Sequence, residues 1–393
     1  MPTFDFDKLT QRHNTNSVKW DEAKDTEVIP MWVADMDFET APCIIETLKK
    51  RVDHGIFGYT LVPESYYQSI INWFLRRHQW EIERNWIIYT SGVVPAISAI
   101  VKAMTQPEDK VIIQTPVYNC FFSSIRNNGC EIVESPLLID NTQKDCPTYQ
   151  IDFDDLEKKV ADPAVKLFIL CNPHNPAGRV WTREELKRMN DICMKHGVMV
   201  LSDEIHCELV MDGHQFTPFA SISQECLDNS ITCNSPSKSF NIAGLQIANI
   251  ISNHENIRKR INRAININEI CDVNPFGVIA LQAAYNEGEP WLLELNKYLN
   301  DNYQALRTFF AQQLPHLKVF RLEGTYLVWV DITATGKSAD EITELLLKEG
   351  KVMVNSGTMY GKTAGEGFIR INIACPRNIM IEGLQRIQQV LST

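Results

Sequence analysis

Residues 165–206 read VKLFILCNPHNPAGRVWTREELKRMNDICMKHGVMVLSDEIH, and the fold is decided there. VKLFILC (165–171) is a nearly unbroken apolar run rich in Val, Leu, Ile and Phe, the pattern of a strand buried on both faces. TREELKRMNDICMKHG (182–197) has helical spacing; it opens on Thr182 with Glu185 three residues later, a capping box, and stops at Gly197. VMVLSDE (198–204) is apolar again. Strand, helix, strand is a crossover unit, which predicts a parallel sheet with right-handed connections.

Working outward, KVIIQT (110–115), SITCNS (230–235) and QIANIIS (246–252) extend the same sheet. The long uncharged stretch Trp86 to Val101 is interrupted by Thr90, Ser91, Gly92 and Pro95, so it reads as a strand end, a turn and a buried helix rather than a membrane span. After about residue 285 the texture changes. A helix over 289–315 leads into LKVFRL (317–322), YLVWVD (326–331), a helix over 338–349, KVMVNS (351–356), FIRINIA (368–374) and a last helix. The expected fold is therefore α/β: a large three-layer domain with a mostly parallel sheet (46–285) and a smaller C-terminal α+β domain (286–393). Residues 1–45 are polar and irregular, and read as an arm packing on the small domain or on a partner subunit.

A chain of 393 residues, 44% hydrophobic, exceeds one comfortable core, in keeping with two domains. With 38 basic and 49 acidic residues the net charge is −11, which argues against nucleic acid or an anionic membrane as main partner. Eleven cysteines without a C-x-x-C pair suit reduced, buried thiols in a cytoplasmic protein, not a disulfide framework or a zinc site; no metal is expected. MPTFDFDKLTQRHN has no apolar core of a signal peptide.

Six features at predicted strand ends carry chemistry. Lys238, in NSPSKSFNIAGLQ (234–246), follows a strand; in an open α/β sheet ligands bind outside the carboxyl ends of the strands. A partly desolvated lysine there has a lowered pKa and can form an imine with an aldehyde. Asp203 ends another buried strand, where a carboxylate needs a cationic partner such as a pyridinium N–H; acids at strand ends also bind Mg²⁺ or cap helices. CNPHNPAG (171–178) is a rigid polar loop in which Asn175 could donate to a phenolate oxygen. In YTSGVVPAISAI (89–100) the amides of Gly92, Val93 and Val94 open a helix and would point at a phosphate. Tyr118, in TPVYNCF (115–121), could stack on a ring. Arg370, in FIRINIACPR (368–377), sits between apolar neighbours, where a bidentate carboxylate would match its charge. Each feature alone has an ordinary structural reading: solvated lysine, turn, helix start, core tyrosine, salt bridge. Together they form the set a pyridoxal 5′-phosphate (PLP) site requires.

The ordered set SGVV, TPVY, CNPHNPAG, SDEIH, SPSK and RINIACPR resembles the fold-type-I PLP enzymes of the aspartate aminotransferase superfamily over nearly the whole chain. PMWVADMDFETAP (30–42), GIFGYT (55–60), SKSFNIAGLQ (237–246), EGTYLVWVD (323–331) and GFIRINIACPR (367–377) are similar to the MalY/PatB group of cystathionine and cysteine-S-conjugate β-lyases. The resemblance implies Lys238, Asp203, Tyr59 and Tyr118 as catalytic residues. Lys238 would hold PLP and act as base, Asp203 would pair with the ring nitrogen, Asn175 and His206 would sit near the ring oxygen, and Tyr118 would stack. Gly92, Val93, Val94 and Ser235 would hold the phosphate, joined by Tyr59 from the partner subunit of a homodimer. Arg370, with Ala34 and Asn175, would bind the substrate α-carboxylate. His206 and Gln246 stand where aminotransferases of this superfamily mostly carry tyrosine and often arginine, which points to β-elimination from L-cystathionine or another L-cysteine S-conjugate. An aminotransferase, or a PLP-binding regulatory protein with residual lyase activity, stays open on sequence alone.

Overall fold

The computed structural model describes residues 4–267, 269 and 272–392. Seven strands form the main sheet: β1 (Ile87–Thr90), β2 (Lys110–Ile113), β3 (Glu131–Glu134), β4 (Val165–Cys171), β5 (Met199–Asp203), β6 (Ser230–Asn234) and β7 (Ala248–Ile251). Their spatial order is β1-β7-β6-β5-β4-β2-β3. The pairs β2–β3, β2–β4, β4–β5 and β5–β6 are parallel, as the crossover pattern predicts. β7 differs: it runs antiparallel to both β6 and β1. Only a short 3₁₀ turn, Ala243–Leu245, lies between β6 and β7, so there is no crossover helix to restore the direction.

The apolar runs are buried on two faces at once. Ile112, Phe168, Leu170 and Val200 join the cluster under the helix Arg183–Lys195. Val111, Ile113, Leu167, Ile169 and Leu201 join the opposite one with the helix Val93–Met104. The period-two alternation of a strand thus sends every second residue to a different layer. The Arg183–Lys195 helix has the predicted capping box, with Thr182 and Glu185 each bonding the other's backbone.

Toward the C-terminus, β8 (Lys318–Val319), β9 (Leu327–Asp331), β10 (Asn355–Ser356) and β11 (Phe368–Asn372) form an antiparallel sheet in the order β8-β9-β11-β10. The predicted strand 351–356 is divided: Asn355–Ser356 stays in this sheet, while Val352–Met353 pairs in parallel with Ile29–Pro30 of the arm. The charged strand β3 and the hairpin Leu138–Asp140/Thr148–Gln150 have no continuous apolar run and were not predicted from one. The largest apolar cluster includes Phe6 and Met31 of the arm, Trp73 and Leu281, and Leu327 and Leu384, so it joins all three stretches of the chain rather than dividing into one core per domain. The ten described cysteines are free. Among the described residues no helix is long and apolar enough to cross a membrane.

Candidate active site

A cavity of about 210 Å³ opens at the carboxyl ends of the central strands. Its wall includes Gly92, Val93, Val94, Tyr118, Asn175, Asp203, His206, Lys238, Gln246 and Ala34. Residues about 150 positions apart meet here because β1, β2, β4, β5 and β6 all release their next residues at the same edge, and Ala34 of the arm closes the wall. Five of the six features read from the sequence thus contribute directly to one wall.

Asp203 is the last residue of β5, and its Oδ1 accepts the Ile205 amide at 3.1 Å. Burial pushes its carboxyl up to about 7, opposed by the Ile205 amide and by the Lys238 charge. A carboxyl this far from its ordinary range lacks a strong cationic partner. Lys238 keeps some exposure through the cavity mouth, yet burial of its amino group pushes it down to about 8. The Asp35 charge opposes that shift and Arg370 adds to it. Lys238 Nζ donates to the Ala34 carbonyl at 2.7 Å. His206 is buried and held neutral, well below the ordinary histidine range, by desolvation and by Lys238 and Arg370. Its Nδ1 is buried without a hydrogen-bond partner. Burial raises the Tyr118 hydroxyl above its ordinary range.

Arg370 is 2% exposed on β11 but stands behind the wall rather than in it. Its Nη1 donates to Asn175 Oδ1 at 3.0 Å and its Nη2 to the Trp32 carbonyl at 2.8 Å, while Nε is buried without a partner. The ring of Tyr360 lies under the guanidinium, 4.7 Å from its carbon. Arg370 fixes the Asn175 oxygen and so leaves its Nδ2 as the end free to donate.

Two expected residues lie elsewhere. Ser235 is absent from the wall: its hydroxyl donates to the Ile247 carbonyl and accepts the Ser237 amide, so it braces the turn. Ser237, two residues on, lines the cavity instead. Tyr59 is 98% exposed and does not reach this chain's own cavity. The sequence reading gave no role to Tyr326, whose hydroxyl donates to the Ala34 carbonyl at 3.0 Å. It also missed Asn372, which bonds the Val33 and Asp35 carbonyls at 2.6 and 2.7 Å. Tyr326 immediately precedes the apolar strand β9 and Asn372 ends β11, so a polar group at the end of an apolar run is the available signal.

The donor set fits PLP. An amine of lowered pKa, a buried carboxyl without a cation, a helix start in the wall and an unpartnered buried imidazole nitrogen are all present in or beside one cavity. Fold and site together define an α/β enzyme that binds a phosphorylated aldehyde cofactor at its strand ends. The chain belongs to the aminotransferase class I and II family, whose model matches residues 26–387. It is 45% identical over 391 residues to the cystathionine beta-lyase PatB of Bacillus subtilis, covering 98% of this chain and 100% of that protein. It is 32% identical over 387 residues to the protein MalY of Escherichia coli, covering 97% of each. The PLP-bound C-S lyase of Staphylococcus hominis superposes with a TM-score of 0.91 at 36% identity, covering 99% of each chain.

Proposed function

We propose that this protein is a PLP-dependent carbon–sulfur β-lyase that cleaves L-cystathionine or other L-cysteine S-conjugates to pyruvate, ammonia and a thiol. The observation that carries the reading is the convergence of Lys238, Asp203 and the Gly92–Val94 helix start on one cavity, in a chain similar throughout to a cystathionine β-lyase. Bound PLP supplies an electron sink for the pair left on the substrate Cα.

The chain's own residues do the rest. The amides of Gly92, Val93 and Val94 hold the phosphate, aided by the helix dipole. Ser237 replaces Ser235 in this group, because its side chain borders the cavity. Asp203 keeps a proton at the ring nitrogen, and the resulting charge pair offsets its own burial. Asn175 Nδ2 and the neutral His206 would serve the ring oxygen, and Tyr118 would pack on the ring. Arg370, which holds Asn175 Oδ1 from behind the wall, would take the substrate carboxylate together with Asn175 and the Ala34 backbone, its remaining N–H groups supplying the bonds. Lys238 Nζ would hold the cofactor, and its free amine would remove the substrate Cα proton. With Lys238 near 8, an appreciable fraction is free amine at neutral pH. The thiolate then leaves from Cβ. Gln246 lines the wall where many aminotransferases carry arginine, a departure that points to the β-lyase side.

The site is completed by a second copy in this reading. Ile56, Phe57, Tyr59 and Leu61 are 67, 55, 98 and 88% exposed along one short segment. Four large apolar or aromatic side chains standing open together suit burial against another chain, with Tyr59 reaching the partner's phosphate. The division into arm (1–45), large cofactor-binding part (46–285) and small part (286–393) is retained, supported by the separate antiparallel sheet β8-β9-β11-β10.

Lys238→Ala tests the assignment. The variant is expected to lose the visible absorbance of the lysine-bound cofactor and nearly all pyruvate formation. An unchanged spectrum with full cofactor content would remove Lys238 from the role.

A further inference from the structure

The segment 32–38 lies against the active site with its carbonyls bonded by side chains. Trp32 O accepts from Arg370 and from Asn355 Nδ2 at 3.1 Å, and Met36 O accepts from Arg12 and Asn241, each at 3.0 Å. Asn372 takes Val33 O and Asp35 O. The Ala34 carbonyl is the one that meets Lys238, and it accepts two bonds: Lys238 Nζ at 2.7 Å and the Tyr326 hydroxyl at 3.0 Å. Tyr326 is fully buried, immediately precedes β9, and stands edge-on to His206 with ring centres 6.1 Å apart. Its hydroxyl is therefore fixed by the sheet.

A carbonyl oxygen has two lone pairs, so both donors can be served. They draw on the same electron density. The tyrosine bond makes the oxygen a weaker acceptor, which costs an ammonium more than a neutral amine because charge-assisted bonds are the stronger ones. It also fixes the place at which the carbonyl meets the lysine amine in either protonation state. We propose that Tyr326 is a positioning residue for Lys238: through the shared Ala34 carbonyl it fixes where the lysine amine rests and favours the unprotonated form that takes the Cα proton. This rests on the reading of Lys238 as the base of a PLP enzyme. The other titratable or charged groups facing Lys238 are Asp35 of the arm, Asp203 and His206 at the end of β5, Tyr118, Cys120 and Arg370. Substitution at Tyr326 leaves all of them in place.

The test is the pH midpoint for acetylation of Lys238 by acetic anhydride in the full-length, cofactor-free chain, read by mass spectrometry of its peptide. In Tyr326→Phe the midpoint is expected to rise by about 0.5, a three-fold change in the protonation equilibrium. In the holoenzyme the alkaline rise of kcat moves the same way, with KM unchanged. With 3-fluorotyrosine in place of Tyr326, a stronger donor, the midpoint is expected to fall. That variant also decides the matter if Tyr326→Phe does not fold. Opposite movements support the proposal, because loosened packing cannot produce them. Unmoved midpoints, or movement in one direction for both, overturn it. The acetylation needs no cofactor, so it fails separately from the lyase reading, which fails if the wild-type holoenzyme makes no pyruvate.

Discussion

Asp203→Asn should stabilise the cofactor-free protein while disabling the enzyme. The carboxyl is 3% exposed, and burial holds it at about 7 against about 3.9 in an unfolded chain. Because the folded value is the higher one, the folded state binds the extra proton, and stability is lost as pH rises from about 4 to about 7. A difference of about 3, at 1.36 kcal/mol each, puts the full loss near 4 kcal/mol above that range. Asparagine has nearly the same shape, and its Oδ1 still accepts the Ile205 amide. Urea unfolding of both proteins should show the variant more stable by about 1–2 kcal/mol at roughly pH 5, and by about 4 kcal/mol at roughly pH 8. The neighbouring Glu204, raised to about 8 mainly by burial and also by the Asp203 charge, costs stability with rising pH in both proteins; without that charge it costs less in the variant, which adds to the difference at the higher pH. Adding PLP should reverse the ranking, since a ring N–H⁺ pairs with the carboxylate and not with the amide. A stability difference that is the same at both pH values would refute the reasoning, and would mean that Asp203 already has a cationic partner in the empty site.

The remaining predictions concern single parts of the site and its frame. Arg370→Ala should reduce kcat/KM for α-amino acid substrates by the worth of a desolvated charge pair, about 2–5 kcal/mol, with much of the effect in KM; an unmoved KM would make Arg370 a brace for Asn175 and Trp32 only. Tyr59→Ala and Lys238→Ala, each nearly inactive, should regain about one quarter of wild-type activity when unfolded and refolded together, because half of the dimers then carry one intact site; no recovery would place Tyr59 outside the partner's site. Thr182→Ala should cost about 1 kcal/mol in urea unfolding by removing the capping box, with activity unchanged.

The sheet was legible where local pattern and tertiary demand coincide. VKLFILC and VMVLSDE hold strands because a doubly covered strand is mostly apolar, Lys166 at the exposed start and Ser202 and Asp203 at the site end being the exceptions. β3, EIVE, carries two glutamates at the sheet edge, where one side is open to water, and it left no such signal. The direction of β7 was not legible because the apolar pattern does not encode polarity; the missing crossover helix does. Within the site, residues at strand ends could be placed from sequence because the topology gathers those ends. Ser235 and Ser237 could not be separated, since a difference of two residues around a turn decides which hydroxyl braces the backbone and which borders the cavity. Tyr326 and the carbonyl of Ala34 were hidden for a different reason: a backbone acceptor has no sequence identity, and the pair is 292 residues apart.

Incubation of the PLP-loaded protein with L-cystathionine, in the absence of any 2-oxo acid, separates a lyase from a transaminase. Pyruvate, ammonia and thiol are expected in equal amounts, lost together in Lys238→Ala. Product that forms only when a 2-oxo acid acceptor is supplied, without release of thiol, would contradict it.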